Sequence, residues 1–81
     1  MSETGVRPGD VKTGTIRNMC EFGCWIAMGG EMGLLHVTDI LQEFHPIQEK
    51  LSLDDELRVQ VTMVHPDDGR IALRMIERLS S

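Results

Sequence analysis

Residues 57–63 alternate without a break: Leu57, Val59, Val61 and Met63 fall on one side, Arg58, Gln60 and Thr62 on the other. Strict alternation marks a strand with one buried face, because successive side chains on a strand point to opposite faces. A second alternating run follows at once, with Ile71, Leu73 and Met75 on one face and Arg70, Ala72 and Arg74 on the other. Between them, His65-Pro66-Asp67-Asp68-Gly69 reads as a turn. The proline sets φ, the aspartates accept backbone N–H bonds and Gly69 takes a positive φ. Two such strands in succession commit this stretch to a sheet.

The preceding half supplies three more strands. Residues 11–17 are rich in β-branched side chains, with Gly14 inside the run. A glycine within a strand marks a bulge or a tight bend, as a small barrel requires. Residues 22–28 form a second run, Gly29-Gly30-Glu31 is a hairpin signal, and residues 33–37 form a third run. From Thr38 the texture changes. Thr38 or Asp39 can cap a helical turn, and residues 42–55, with Pro46 and several acids, read as a long connection holding one or two short helical pieces. Five short strands without a long helix predict an all-β fold, a five-stranded antiparallel Greek-key barrel with a helical insert between strands three and four. The expected interior is Val11, Ile16, Ile26, Leu35, Val37, Leu57, Val59, Val61, Ile71 and Leu73. With 81 residues there is room for one domain, expected over 10–76, with a flexible lead-in at 1–9 and a tail at 77–81.

Only three residues are aromatic, Phe22, Trp25 and Phe44, and two of them fall within one four-residue run. Two readings of that pair stand. It can be ordinary barrel core. Alternatively Gly23 permits a bulge that puts both rings on one outer face, where two flat side chains make a stacking platform for unpaired bases. His36 alternates with Leu35 and Val37 and so points outward beside that platform.

Cys20 and Cys24, four apart on one strand, would be about 13 Å from each other, too far for a disulfide. The histidines are scattered singly, so no zinc site and no cofactor are expected. Two reduced thiols packed as small apolar residues suit a cytoplasmic protein. Residues 1–5 show no charged region followed by an apolar stretch, so no secretory signal is expected, and no apolar run is long enough for a membrane span. The six methionines suit either the core or an adaptable surface.

In order along the chain, the segment Gly14-Thr15-Ile16-Arg17-Asn18-Met19-Cys20-Glu21-Phe22-Gly23-Cys24-Trp25-Ile26, then Gly33-Leu34-Leu35-His36-Val37-Thr38-Asp39-Ile40, then Gly69-Arg70-Ile71-Ala72-Leu73 closely resembles the S1 RNA-binding domain family, as found in ribosomal protein S1, polynucleotide phosphorylase and ribonuclease E. The resemblance covers about residues 8–75. It implies an OB-fold that binds single-stranded RNA largely on the face of strands two and three. On these positions it implies base stacking by Phe22 and Trp25, stacking or hydrogen bonding by His36, and a phosphate contact by Arg70. The family commonly carries an aspartate four residues before that arginine; this chain has Pro66 there, with Asp67 adjacent. The glycine expected before strand four is replaced by Asp54, which tolerates the left-handed conformation.

Charge sets the expected strength. Eight basic against thirteen acidic residues give −5, which excludes a protein that coats duplex DNA by bulk charge. Lys12, Arg17, Arg70, Arg74 and Arg78 lie on the first and last strands or the tail, and the acids gather in the connection and turns. Lys12, Arg17 and Arg74 therefore join the expected RNA-binding set. Binding is expected to be weak and sequence-tolerant, in an RNA processing, decay or translation setting, by a monomer whose partners are single-stranded RNA and ribosomal or RNA-processing proteins. The rival expectation is an acidic adaptor module that keeps the barrel and meets a basic protein. No nucleophile–base pair or phosphate-cradling loop stands out, so an enzyme is not expected.

Overall fold

The strands form where the runs put them, and the first and last each continue three residues further. In the computed structural model, which describes residues 6–79, β1 spans Val11–Cys20, β2 Gly23–Met28, β3 Glu31–His36, β4 Glu56–Val64 and β5 Ile71–Arg78. They close into a barrel in the order β1-β2-β3-β5-β4, with β4 pairing back onto β1. One detail departs from the antiparallel expectation. Gly33, Leu34 and Leu35 of β3 lie beside Ile71, Ala72 and Leu73 of β5 in parallel, whereas the other pairings are antiparallel. The reason is parity: directions can alternate all the way round a closed ring only when the strand number is even, and here it is five.

The barrel interior is aliphatic. Ile16, Ile26, Leu35, Leu57, Val59, Val61, Ile71 and Leu73 are buried as expected, joined by Cys24, Met28 and Met75. Val11 is not among them. Gly14 and Ile16 set the inward phase of β1, so Val11, an odd number of positions away, faces out opposite Gln60 and is 54% exposed. Val37 is half-buried against the core. The register shift of β1 falls between Ile16 and Asn18, at Arg17, and not at Gly14. Gly14 answers a different demand, since a Cβ there would lie 2.4 Å from Ile26 Cγ2.

The insert between β3 and β4 is helical in three short pieces: 3₁₀ turns at Val37–Asp39 and Gln42–Phe44, and α1 at Ile47–Lys50. It brings Ile40, Ile47 and Leu51 into the core. His45 bonds through Nε2 to the Ile40 carbonyl at 3.0 Å, which ties the insert to itself. Asp54 precedes β4 with φ +74°, in the left-handed conformation expected of it. Its N–H donates to the Ile16 carbonyl at 2.8 Å, and the Ile16 N–H donates to the Asp55 carbonyl at 3.0 Å, so this turn is stitched to β1. Gly69 closes the β4–β5 turn with φ +72°, donating its N–H to the His65 carbonyl.

Residues 1–5 of the expected lead-in, and Ser80 and Ser81 of the expected tail, fall outside the described residues. Val6 is in the core, and the Gly9 N–H donates to the Val61 carbonyl at 2.6 Å.

Candidate nucleic-acid interface

On β2, Cys24, Ile26 and Met28 are buried, so Gly23, Trp25 and Ala27 occupy the outward phase. Cross-strand partners share a face. Gly23 is opposite His36, Trp25 opposite Leu34 and Ala27 opposite Met32, so β3 presents Met32, Leu34 and His36 outward. Leu34 lies beside Ala72 of β5, and Ala72 lies opposite Met63 of β4. The outer wall of this half of the barrel is thus apolar where alternation usually places polar groups. Met32 and Met63 are 52% and 51% exposed.

Trp25, Met32, Leu34, His65, Arg70, Ile71 and Ala72 line one shallow concavity of about 170 Å³ on that wall. Trp25, the only tryptophan, is half-buried in it, and Arg70 stands at its rim. Phe22 reaches the neighbourhood by a route other than the expected bulge. The β2–β3 register is regular through Gly23, and Phe22 sits before β2, in the two-residue turn between Cys20 and Gly23. A turn residue is free of strand alternation, and Phe22 is 49% exposed. Its carbonyl accepts from the Val37 N–H at 2.8 Å, which holds this turn against the His36 end of β3. Gly23 makes the junction possible, because a Cβ there would lie 2.4 Å from the Leu35 carbonyl oxygen.

His36 is exposed at the end of β3 and caps the turn that follows, its Nδ1 accepting from the Thr38 N–H at 3.2 Å. The expected caps, Thr38 and Asp39, lie inside the turn instead. Arg17 is exposed at the β1 bulge, adjacent to Asn18, which is opposite Trp25. Arg74 is outward on β5, two residues past Ala72, in the direction that His36 lies past Leu34, and its Nε donates to Gln60 Oε1 at 3.1 Å. The fold does not bring Lys12 to this group. It is opposite Val59, six residues along β1 from Asn18, or about 20 Å of strand.

Arg70 is not a bare cation. Its Nε lies 2.8 Å from Asp68 Oδ2, and its backbone N–H donates to Asp68 Oδ1 at 3.1 Å. That backbone bond first, and then the guanidinium charge, hold the Asp68 carboxyl below the usual carboxylate range. The carboxylate paired with Arg70 is therefore that of Asp68, not Asp67, because the tight His65–Gly69 turn directs the penultimate side chain back onto the strand entry.

Both cysteines are free, for a reason other than distance along one strand. Cys20 ends β1 and Cys24 lies on β2 across the hairpin, where Cys24 is opposite Met19 and Cys20 opposite Gly23, so the two occupy opposite faces. Burial, then the nearby Cys20, pushes the Cys24 thiol up to about 11, which leaves it a protonated core residue at neutral pH. Among the described residues no cluster of three or more His, Cys, Asp or Glu has metal-ligating placement, and no helix is long and apolar enough to cross a membrane.

Sequence reasoning missed Met32, Leu34, His65 and Ala72 as walls of the concavity. The signal was present in β3, where Met32 and Leu34 keep the same phase as the outward His36.

No family model matches the chain. Among curated proteins, small ribosomal subunit protein bS1 of Rhizobium meliloti (strain 1021) is 35% identical over 69 residues. That match takes in 83% of this chain, and the chain spans only 12% of the length of that relative. Among solved structures, GSP13 from Bacillus subtilis superposes with a TM-score of 0.73 at 31% identity, covering 85% of this chain and 55% of that one. The uncharacterized protein MJ1198 from Methanocaldococcus jannaschii gives 0.76 at 27% identity, covering 90% of this chain and 96% of that one. Strand order, motif order and these relatives agree, and the chain belongs to the S1-domain family, on an OB-fold barrel.

Proposed function

We propose that the chain is an RNA-binding domain that takes single-stranded RNA across the outer wall of β2, β3 and β5. The observation that carries this reading is the concavity in which Trp25 and Arg70 stand together: a π-face and apolar walls for a base, with a cation at the rim for the phosphate. Bases stack on Trp25 and on the exposed Phe22, and His36 bonds to the strand from the far end of β3. Arg70, Arg17 and Arg74 meet phosphates. Lys12, distant along β1, serves a longer strand or none. The chain acts by binding and not by catalysis. As S1-family kinship supports, its setting is RNA processing, decay or translation in the cytoplasm, as a monomer that works beside ribosomal or RNA-processing proteins.

With few cations and a net charge of −5, affinity falls in the range of non-specific contacts, roughly 10⁻⁴–10⁻⁶ M, with a shallow salt slope. Because Trp25 is the only tryptophan, its fluorescence reports directly on the site. Titration with oligouridylate at low salt is expected to quench it saturably in that range. A flat titration would leave the exposed Met32 and Met63 wall to the rival reading, an adaptor that docks protein.

The Asp68–Arg70 pair gives a second test with an unusual sign. Asp68 competes with phosphate for the same guanidinium, so Asp68→Asn is expected to tighten oligouridylate binding roughly two- to fourfold. Unchanged or weaker binding would remove Arg70 from the phosphate role.

A further inference from the structure

A neutral histidine carries one ring proton, and the nitrogen that holds it decides whether its free edge donates or accepts. At His36 the backbone amide of Thr38 identifies that nitrogen, and the Thr38 hydroxyl supplies the closer of the two contacts that hold the ring. Nδ1 accepts from the Thr38 N–H at 3.2 Å, and Thr38 Oγ1 lies 2.9 Å from the same nitrogen. A backbone amide can only donate, so Nδ1 holds a lone pair there and the ring proton is on Nε2. The Thr38 hydroxyl then also donates to Nδ1. Both donors belong to one residue, placed where β3 ends and the Val37–Asp39 turn begins, with His36 at φ −69° and ψ 148°. The turn is itself fixed by the Val37 N–H to Phe22 carbonyl bond.

We infer that Thr38 is a positioning residue that locks His36 as the Nε2–H tautomer, so that the exposed edge of His36 is a one-way donor to acceptor atoms of bound RNA. The inference rests on the RNA-binding reading and adds direction to it. A histidine free to exchange tautomers presents a donor to some molecules and an acceptor to others, and only part of the population matches any one ligand atom. Thr38 removes that mixture before RNA arrives. Locked in this way, His36 pairs with base carbonyl oxygens, unprotonated ring nitrogens or phosphate oxygens, and rejects base amino and imino groups. The selection costs no rearrangement, because Nδ1 is already satisfied by the chain and only Nε2 faces outward.

The test uses the full chain at about pH 8, above the ordinary range of imidazole protonation. Long-range proton–nitrogen spectra of the free protein are expected to show His36 as a single tautomer with its proton on Nε2. Thr38→Ala keeps the backbone donor and loses the hydroxyl. It is expected to shift the two ring nitrogens towards a mixed pattern and to weaken oligouridylate binding about threefold, the effect of one neutral hydrogen bond. Thr38→Ser restores both, and thermal melts of all three proteins check that the barrel is intact. Loss seen with oligouridylate and equally with an abasic ribose-phosphate chain of the same length assigns the acceptor to phosphate; loss seen with oligouridylate alone assigns it to the base. An Nδ1–H pattern overturns the inference. So do identical spectra and affinities for wild type and Thr38→Ala while Trp25 is still quenched by RNA, and in that case the RNA-binding reading survives. No quenching in the wild type sinks both together.

Discussion

Replacing Trp25 with alanine is expected to lower affinity for oligouridylate by roughly five- to 150-fold, read by polarisation of labelled RNA at low salt. Stacking of one base on an aromatic ring contributes about 1–3 kcal/mol, and about 1.4 kcal/mol is a factor of ten. Trp25 is on the outward phase of β2, so its removal widens the surface concavity and leaves the aliphatic interior untouched. The loss therefore appears in binding while the melting transition stays within a few degrees. Phe22 is on the adjoining turn and adds a second, separate ring. The Phe22→Ala/Trp25→Ala double variant is expected to fall about thirtyfold or more, to the edge of detection for a complex that starts at roughly 10⁻⁴–10⁻⁶ M. Equal affinity of wild type and double variant would end the stacking role.

Gly23→Ala is the most damaging single-atom addition the fold suggests. The new Cβ would lie 2.4 Å from the Leu35 oxygen, 3.1 Å from His36 Cα and 3.2 Å from the Leu35 carbonyl carbon. All three neighbours are backbone, so no side chain can turn aside and β3 itself must move. Overpacking of this kind costs about 1–3 kcal/mol and sometimes more, against roughly 4–12 kcal/mol for a whole domain of this size. At about 4–8 °C per kcal/mol, the melting midpoint is expected to drop by around ten degrees or more. The displaced strand carries His36 and Leu34, so RNA affinity falls with it. Gly30→Ala is the control: nothing lies within 4 Å of its would-be Cβ, and its melt is expected to match wild type. A Gly23→Ala protein as stable as wild type would mean that the β2–β3 junction is looser than its geometry.

Most of the barrel was legible in the residues because alternation is a local signal and burial obeys it. Leu57, Val59 and Val61, and Ile71, Leu73 and Met75, are inward as their spacing requires, but Met63, expected on the same face, is turned outward by the register shift between Val61 and Met63. Asp54 and Gly69 adopt the positive φ that their turns demand. What escaped was set by a shift of one residue or by neighbours distant in sequence. Val11 is outward because the phase of β1 is fixed by Ile16 further along, and a run of β-branched residues does not show its phase. The extra residue of β1 is Arg17, which nothing in its side chain announces. Ile40, Ile47 and Leu51 enter the core from a segment without a regular period, so no pattern identified them.

The site divides in the same way. Trp25, His36 and Arg70 were named from local motifs, and the fold brings Trp25 and Arg70 to one concavity. The walls beside them were invisible in the sequence, since Leu34 and Ala72 become neighbours only through a pairing between distant strands. The role of His36 as a cap was hidden as well, because histidine is not among the side chains usually looked for at that position.

The parallel seam between β3 and β5 has a consequence for how the domain assembles. Leu34 and Ala72 are separated by the entire insert and all of β4, so closing the seam is, with the β1–β4 pairing, one of the two long-range closures of the barrel. Hairpins β1–β2, β2–β3 and β4–β5 can form locally, but the concavity exists only once the β3–β5 junction zips. Neither half of the chain holds Trp25 and Arg70 together. Ligand capture is thus tied to completion of the ring. On the proposed reading, a strand of RNA lying from Trp25 to Arg70 would bridge this long-range junction and stabilise the native state by mass action, acting as a clasp on the barrel.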